Sequence, residues 1–265
     1  RSSDVCSSDL PFPVILNIHG GPFAQYTHEL FDETQVLTEA GYAVVYSNPR
    51  GSAGRGRAWG RAVQGDLADP AAADVLAVLE AALAAHPQLD PARLGIQGGS
   101  YGGYLTAMII GSDSRFAGAI VERGYLVPQS FIGTSDIGRY FSEGYTGTDP
   151  EQIARQSPLT RVGSVDTPTL VMHSELDFRC PLEQALQYFA ALQRAGVDSE
   201  LLIFPGENHE LSRSGRPVHR VQRFDAVLDW WERVFSGSAG SAPRRGVGGH
   251  VREAGGHARE TGGLV

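Results

Sequence analysis

The heptapeptide Gly98-Gly99-Ser100-Tyr101-Gly102-Gly103-Tyr104 separates the apolar run Arg93-Leu94-Gly95-Ile96-Gln97 from the helix-like Leu105-Thr106-Ala107-Met108-Ile109-Ile110. A serine between glycines at a strand-to-helix junction requires a turn so sharp that the serine takes a strained backbone conformation. Side chains at positions 98 and 102 would collide with the flanking strand and helix. The Ser100 hydroxyl is then presented at the edge of a sheet. In a chain with 33 glycines the pattern Gly-x-Ser-x-Gly arises easily by chance. The strand before it and the helix after it carry the inference.

A serine so placed becomes a nucleophile when an acid and then a histidine follow it in the chain, each just beyond a strand. Thr169-Leu170-Val171-Met172-His173 reads as a buried strand followed by Ser174-Glu175-Leu176-Asp177-Phe178-Arg179. Leu201-Leu202-Ile203-Phe204 reads as another, followed by Pro205-Gly206-Glu207-Asn208-His209-Glu210. Asp177 is the candidate acid and Glu175 the alternative. His209 is the candidate base, being the one histidine in a turn after a strand downstream of the acid. His19 and His173 end strands and His219 lies in a helical stretch, where structural roles are expected; His28, His86, His250 and His257 have no partner pattern.

In this arrangement His209 takes the proton from Ser100 as it attacks a carbonyl and returns it to the leaving group, while Asp177 orients the imidazole. The tetrahedral oxyanion needs donors. The backbone N–H of Tyr101 is one. The N–H of Gly21, in the turn Asn17-Ile18-His19-Gly20-Gly21-Pro22 after the strand Val14-Ile15-Leu16, is the other, because glycines let the backbone approach the substrate oxygen.

Five segments in order resemble the catalytic domain of the prolyl oligopeptidase family: His19-Gly20-Gly21-Pro22; Asn48-Pro49-Arg50-Gly51-Ser52 with Gly54 and Gly56; Gly98 to Tyr104; His173 to Pro181; and Pro205 to Glu210. The wording is most similar to the bacterial acylaminoacyl-peptidases and dipeptidyl peptidases, and the likeness runs from about Phe12 to Phe235. The resemblance implies an α/β-hydrolase fold, a mostly parallel sheet with helices on both faces, and serine peptidase activity on short or N-acylated oligopeptides. It implies that Arg179, two residues after the acid, binds a substrate carbonyl; an ion pair with Glu175 is the structural alternative. It also implies an N-terminal propeller in the intact protein. A carboxylesterase using the same three residues is the alternative activity. A non-catalytic interaction module on a hydrolase scaffold would require the loss of one of them, and none is missing.

Residues 1–10 resemble translated sequencing-adapter DNA and are set aside as non-native; residues 11–235 form the expected catalytic domain. Residues 236–265 are rich in glycine and arginine, with the near-repeat Gly248-Gly249-His250-Val251-Arg252-Glu253 and Gly255-Gly256-His257-Ala258-Arg259-Glu260, and are expected to be disordered. Strands are expected near 14–18, 42–47, 93–97, 117–121, 169–173 and 200–204, and helices near 70–85, 101–111, 182–195 and 217–235. The segment 124–160 reads as irregular and aromatic, either lining the substrate pocket or covering the sheet.

A net charge of −8, with all 22 basic residues arginine and none clustered in the domain, gives no support to nucleic-acid binding. No apolar run approaches the ~20 residues of a membrane span, and no secretory signal is visible. With Cys6 in the set-aside segment, Cys180 lacks a disulfide partner, which points to a cytoplasmic setting. No cofactor or metal is called for: there is no His-Glu-x-x-His, and the two cysteines are far apart. The sequence leaves open whether the chain forms a homo-oligomer.

Overall fold

The computed structural model describes residues 11–237 and 250–255. Its first half runs β1 (Phe12–Ile18), α1 (Asp32–Glu39), β2 (Ala43–Tyr46), α2 (Gly56–Arg61), α3 (Asp69–Ala85), β3 (Leu89–Gly99), α4 (Tyr101–Ile110) and β4 (Gly118–Glu122). After these come α5 (Pro128–Thr134), α6 (Gly138–Tyr145), α7 (Pro150–Arg155) and a 3-10 turn (Pro158–Ser164). The chain continues as β5 (Thr169–Ser174), α8 (Leu182–Arg194), β6 (Ser199–Phe204), α9 (Leu211–Ser214), α10 (Pro217–Phe235) and β7 (His250–Glu253).

The strands form one sheet in the order β2-β1-β3-β4-β5-β6-β7, and every pairing is parallel. Parallel strands must be covered on both faces, and the alternation along β1 shows how this is done. Val14, Leu16 and Ile18 join the core beneath α3, α4 and α8, whereas Ile15 joins Leu37 of α1 and Val227, Trp230, Trp231 and Val234 of α10. All the C-terminal strand ends lie on one rim, where the crossovers begin. The candidate residues sit there.

The expected strands and long helices are present with ends shifted by a few residues. Two expectations fail. The segment 124–160 contains three short helices, α5 to α7, each of six to eight residues. Such helices have too few turns to display a period, and Pro128 and Pro150 at their first turns mark only where they begin. Within the expected disordered tail, His250–Glu253 instead forms β7, pairing Leu201 with Val251 and Leu202 with Arg252. Backbone pairing to the otherwise open edge of β6 supplies what the side-chain pattern lacks, with the Ala254 N–H donating to the Ile203 carbonyl at 2.9 Å. Residues 1–10, 238–249 and 256–265, the remainder of the expected non-native and tail segments, lie outside the described residues.

Candidate active site

Ser100 occupies the turn between β3 and α4 with φ 61° and ψ −119°, a left-handed-side conformation rare for a residue bearing a Cβ. Gly102 explains why the turn can be so tight. A Cβ there would lie 2.0 Å from the Ile18 carbonyl oxygen, so any larger residue would push α4 off β1. The Ser100 N–H donates to the Glu122 carbonyl at the end of β4 at 2.9 Å, which fixes the turn from the other side.

Asp177 lies in the loop after β5 and His209 in the loop after β6, two strands that are neighbours in the sheet. His209 Nδ1 donates to Asp177 Oδ2 at 2.7 Å, which leaves Nε2 to accept the Ser100 hydroxyl at 3.0 Å. Asp177 is buried, and its other oxygen accepts the backbone N–H groups of Arg179 at 2.9 Å and Cys180 at 2.8 Å. The carboxylate is thus fixed in place before it meets the imidazole. Glu175 is turned away, accepting the Gly206 N–H at 2.7 Å.

The His19-Gly20-Gly21 turn packs directly on Ser100: a Cβ on Gly20 would lie 3.4 Å from the Ser100 Cβ. His19 Nδ1 donates to the Gly20 carbonyl at 2.6 Å. A carbonyl can only accept, so Nε2 of the neutral ring accepts the Ser52 hydroxyl at 2.9 Å. Burial pushes the His19 pKa down, against the smaller opposing effect of the Gly20 carbonyl, and keeps the ring neutral. The Gly20 carbonyl belongs to the same peptide plane as the Gly21 N–H, so His19 holds that N–H in orientation, in keeping with the structural role expected of it at a strand end. Among the described residues neither the Gly21 nor the Tyr101 N–H donates to a protein acceptor. The Tyr101 N–H also lies at the positive end of α4.

The other strand-end histidine closes the acid loop. His173 Nε2 donates to the Cys180 carbonyl at 2.6 Å, and burial lowers its pKa and keeps it neutral. His219 of α10 pairs with Glu207, in the loop after β6, at 2.6 Å. Arg179 does not pair with Glu175. Its guanidinium forks onto Asp136, Nε to Oδ1 at 2.7 Å and Nη2 to Oδ2 at 3.1 Å, and the two half-exposed groups sit beside the acid loop.

A cavity of about 720 Å³ opens at Ser100 and extends toward α1 and α10, lined by His19, Gly21, Gln97, Arg179 and His209 among others. The aromatic residues of 124–160 do not line it. Tyr125, Phe131 and Phe141 pack ring against ring on the opposite face of the sheet, with Tyr125 and Phe131 edge-to-face at 4.5 Å, and so act as a cover.

Beneath the cavity lies a buried charge cluster that the sequence reading missed. Arg223 of α10 donates to Glu122 Oε1 at 2.9 Å and Oε2 at 2.6 Å and also to Glu33 of α1; Asn17 donates to Glu33 at 3.0 Å; and Arg123 donates to Glu122 at 2.7 Å. The one available signal was a Glu-Arg pair directly after the apolar run Ala119-Ile120-Val121, at a strand end. Burial alone would raise the Glu122 pKa, but Arg123 and Arg223 together outweigh it and hold the carboxyl at about 2, against an ordinary 4.5. Because the folded value is depressed, this stabilisation is complete above 4.5 and is lost as pH falls through that window toward 2. A shift of this size is worth roughly 3 kcal/mol. Urea titrations of the wild type should therefore show stability falling steeply below pH ~4.5, and Glu122→Gln should flatten that fall. Identical acid slopes in the two proteins would show that Glu122 is not the group responsible.

Among the described residues no group of three or more His, Cys, Asp or Glu side chains is arranged to hold a metal ion, and no helix is long and apolar enough to cross a membrane.

Comparison with known proteins identifies the family. The "uncharacterized peptidase YuxL" of Bacillus subtilis (strain 168) is 43% identical over 226 residues, covering 84% of this chain and 34% of that protein. Dipeptidyl-peptidase 5 of Porphyromonas gingivalis is 32% identical over 233 residues, 83% of this chain and 34% of its own length. Among solved structures, the acylaminoacyl peptidase of Pyrococcus horikoshii superposes with a TM-score of 0.82 at 34% identity, covering 84% of this chain and 37% of that one. The chain therefore spans about a third of the length of the relatives it matches. Residues 28–238, from the loop after β1 to just beyond α10, match the model of the prolyl oligopeptidase family. With the fold, the serine turn and that match in agreement, the chain is a member of the prolyl oligopeptidase family.

Proposed function

We propose that this chain carries the catalytic machinery of a serine peptidase acting on short or N-acylated oligopeptides. Ser100 is the nucleophile, His209 the general base and then acid, and Asp177 the group that orients and stabilises the imidazolium. Attack on the scissile carbonyl gives a tetrahedral oxyanion held by the N–H groups of Gly21 and Tyr101. Its collapse expels the amine with the proton from His209, and water attacks the acyl-enzyme by the same steps in reverse. The observation that carries this reading is the unbroken hydrogen-bonded series from Asp177 through His209 to Ser100, at 2.7 and 3.0 Å. Both distances are within the range needed for proton transfer. A fluorophosphonate probe should label the protein once, and digestion with mass spectrometry should place the label on Ser100. Labelling elsewhere, or none, would sink the reading.

Arg179 is the proposed anchor for a substrate backbone carbonyl. Asp136 engages its Nε and one terminal nitrogen, which leaves the other terminal nitrogen for a ligand, and Arg179 lines the cavity that contains Ser100. Arg179→Ala should reduce kcat/KM for an acylated peptide by roughly tenfold to a hundredfold, the worth of one charge-assisted hydrogen bond. An aryl acetate, which has no second carbonyl, should be affected far less. Equal losses on the two substrates would mean that Arg179 only supports the acid loop.

A further inference from the structure

Among the described residues two that are not glycine have positive φ: Ser100 and, beside it, Arg123, at 40°. Strain of this kind persists only where the surroundings impose it, and it gathers at functional positions. At Arg123 the imposition is visible. Its N–H donates to the Met172 carbonyl at 2.8 Å, and its side chain folds back over the residue that precedes the nucleophile. A Cβ on Gly99 would lie 3.0 Å from a terminal nitrogen of Arg123 and 3.1 Å from its central carbon, so a glycine at 99 gives the guanidinium its place.

This guanidinium is 7% exposed yet poorly served. Its one side-chain hydrogen bond among the described residues goes to Glu122 Oε1, an oxygen that also accepts from Arg223. Arg223 in addition holds Glu122 Oε2 and Glu33, so most of the Glu122 charge is engaged elsewhere. The Arg123 Nε has no partner. The other guanidinium groups around the cavity each have a carboxylate that no second arginine shares: Arg179 with Asp136, Arg213 with Glu210, and Arg220 with Asp32. A planar fork of five donors, buried and largely unused, is suited to a carboxylate.

The direction of catalysis identifies which carboxylate. If the substrate oxygen points to the N–H groups of Gly21 and Tyr101, the departing amine must lie against His209 Nε2, which protonates it. His209, Glu210 and Arg123 line the same cavity, so the departing residue enters the space that Arg123 borders. We propose that Arg123 binds the α-carboxylate of the residue on the leaving side of the scissile bond, which makes the site selective for substrates whose leaving group is a single amino acid. This rests on the reading of Ser100, His209 and Asp177 given above.

The test compares N-acetyl dipeptides ending in a free carboxylate with the same compounds ending in a carboxamide. The wild type should favour the acid by roughly tenfold or more in kcat/KM, mainly through KM, and Arg123→Met should bring the ratio to about one, with Arg123→Lys restoring part of it. Calorimetry on the Ser100→Ala protein gives the same comparison as binding, without turnover. A wild-type ratio near one in both measurements overturns the proposal even if Arg123→Met does not fold, as does a ratio that survives in Arg123→Met. Failure of the serine mechanism itself is separate: it would appear as wild-type protein that no fluorophosphonate labels.

Discussion

Replacing Ser100 with alanine is expected to abolish fluorophosphonate labelling and to lower kcat by roughly 10⁴- to 10⁶-fold, whatever the acyl substrate. The size of the loss follows from how the groups act. His209 accepts a proton only from the hydroxyl that attacks, so without Oγ the base has nothing to activate, and the oxyanion donors stabilise an intermediate that no longer forms through the enzyme. The substitution removes one oxygen from a side chain whose strained backbone is fixed by Gly102, Ile18 and Glu122, so folding should be preserved and even slightly favoured. Thermal unfolding at or slightly above the wild-type temperature, together with lost turnover, is the expected pair of results. An alanine protein that still forms acyl-enzyme at a rate near wild type would remove Ser100 from the mechanism.

Asp177→Asn should cost nearly as much, roughly 10⁴-fold in kcat, with little change in KM. An amide keeps the shape of the carboxylate but offers either its oxygen or its NH₂ to His209 Nδ1. The backbone N–H groups of Arg179 and Cys180 both point at Oδ1 and require an acceptor there. The amide oxygen therefore goes to the loop and the NH₂ faces His209. Nδ1 must then be the unprotonated nitrogen, which puts the proton on Nε2, where it blocks acceptance from Ser100. Measuring kcat and KM for one acylated peptide decides the matter: a loss under tenfold, or one confined to KM, would show that Asp177 does not set the tautomer.

The partners of Ser100 could be read from sequence because each follows an apolar strand of ordinary length in a loop short enough to fix its place on the rim. Thr169–Ser174 and Ser199–Phe204 are such strands, and a parallel sheet leaves their C-terminal ends only one side on which to emerge. Asp177 is preferred over Glu175 in the sequence although both follow the same strand, and the fold of the loop turns Asp177 toward His209 and Glu175 toward Gly206. Arg179 likewise found Asp136, 43 residues away, instead of the nearby Glu175. The cluster of Glu33, Glu122, Arg123 and Arg223 depends on contacts across 101 and 190 residues, and although Arg223 stands on the same stripe of α10 as Val227 and Trp230, nothing local names the carboxylates it meets. Helices α5 to α7 and strand β7 were hidden for a simpler reason: they are too short for their periodicity to rise above their glycines and polar residues.

The three groups at the centre of the site are also separated in time. His209 follows Ser100 by 109 residues, and Asp177 stands between them. At a synthesis rate of roughly 5–20 residues per second, the serine exists for about 5–20 seconds before the base has been made at all. Strand β6, whose loop carries the histidine, pairs with β5 only after both have left the ribosome, so the nascent chain holds a serine with no base to activate it. With the roles proposed above for these three residues, assembly of the sheet is the arming step, and a chain that ends before His209 has no base beside Ser100.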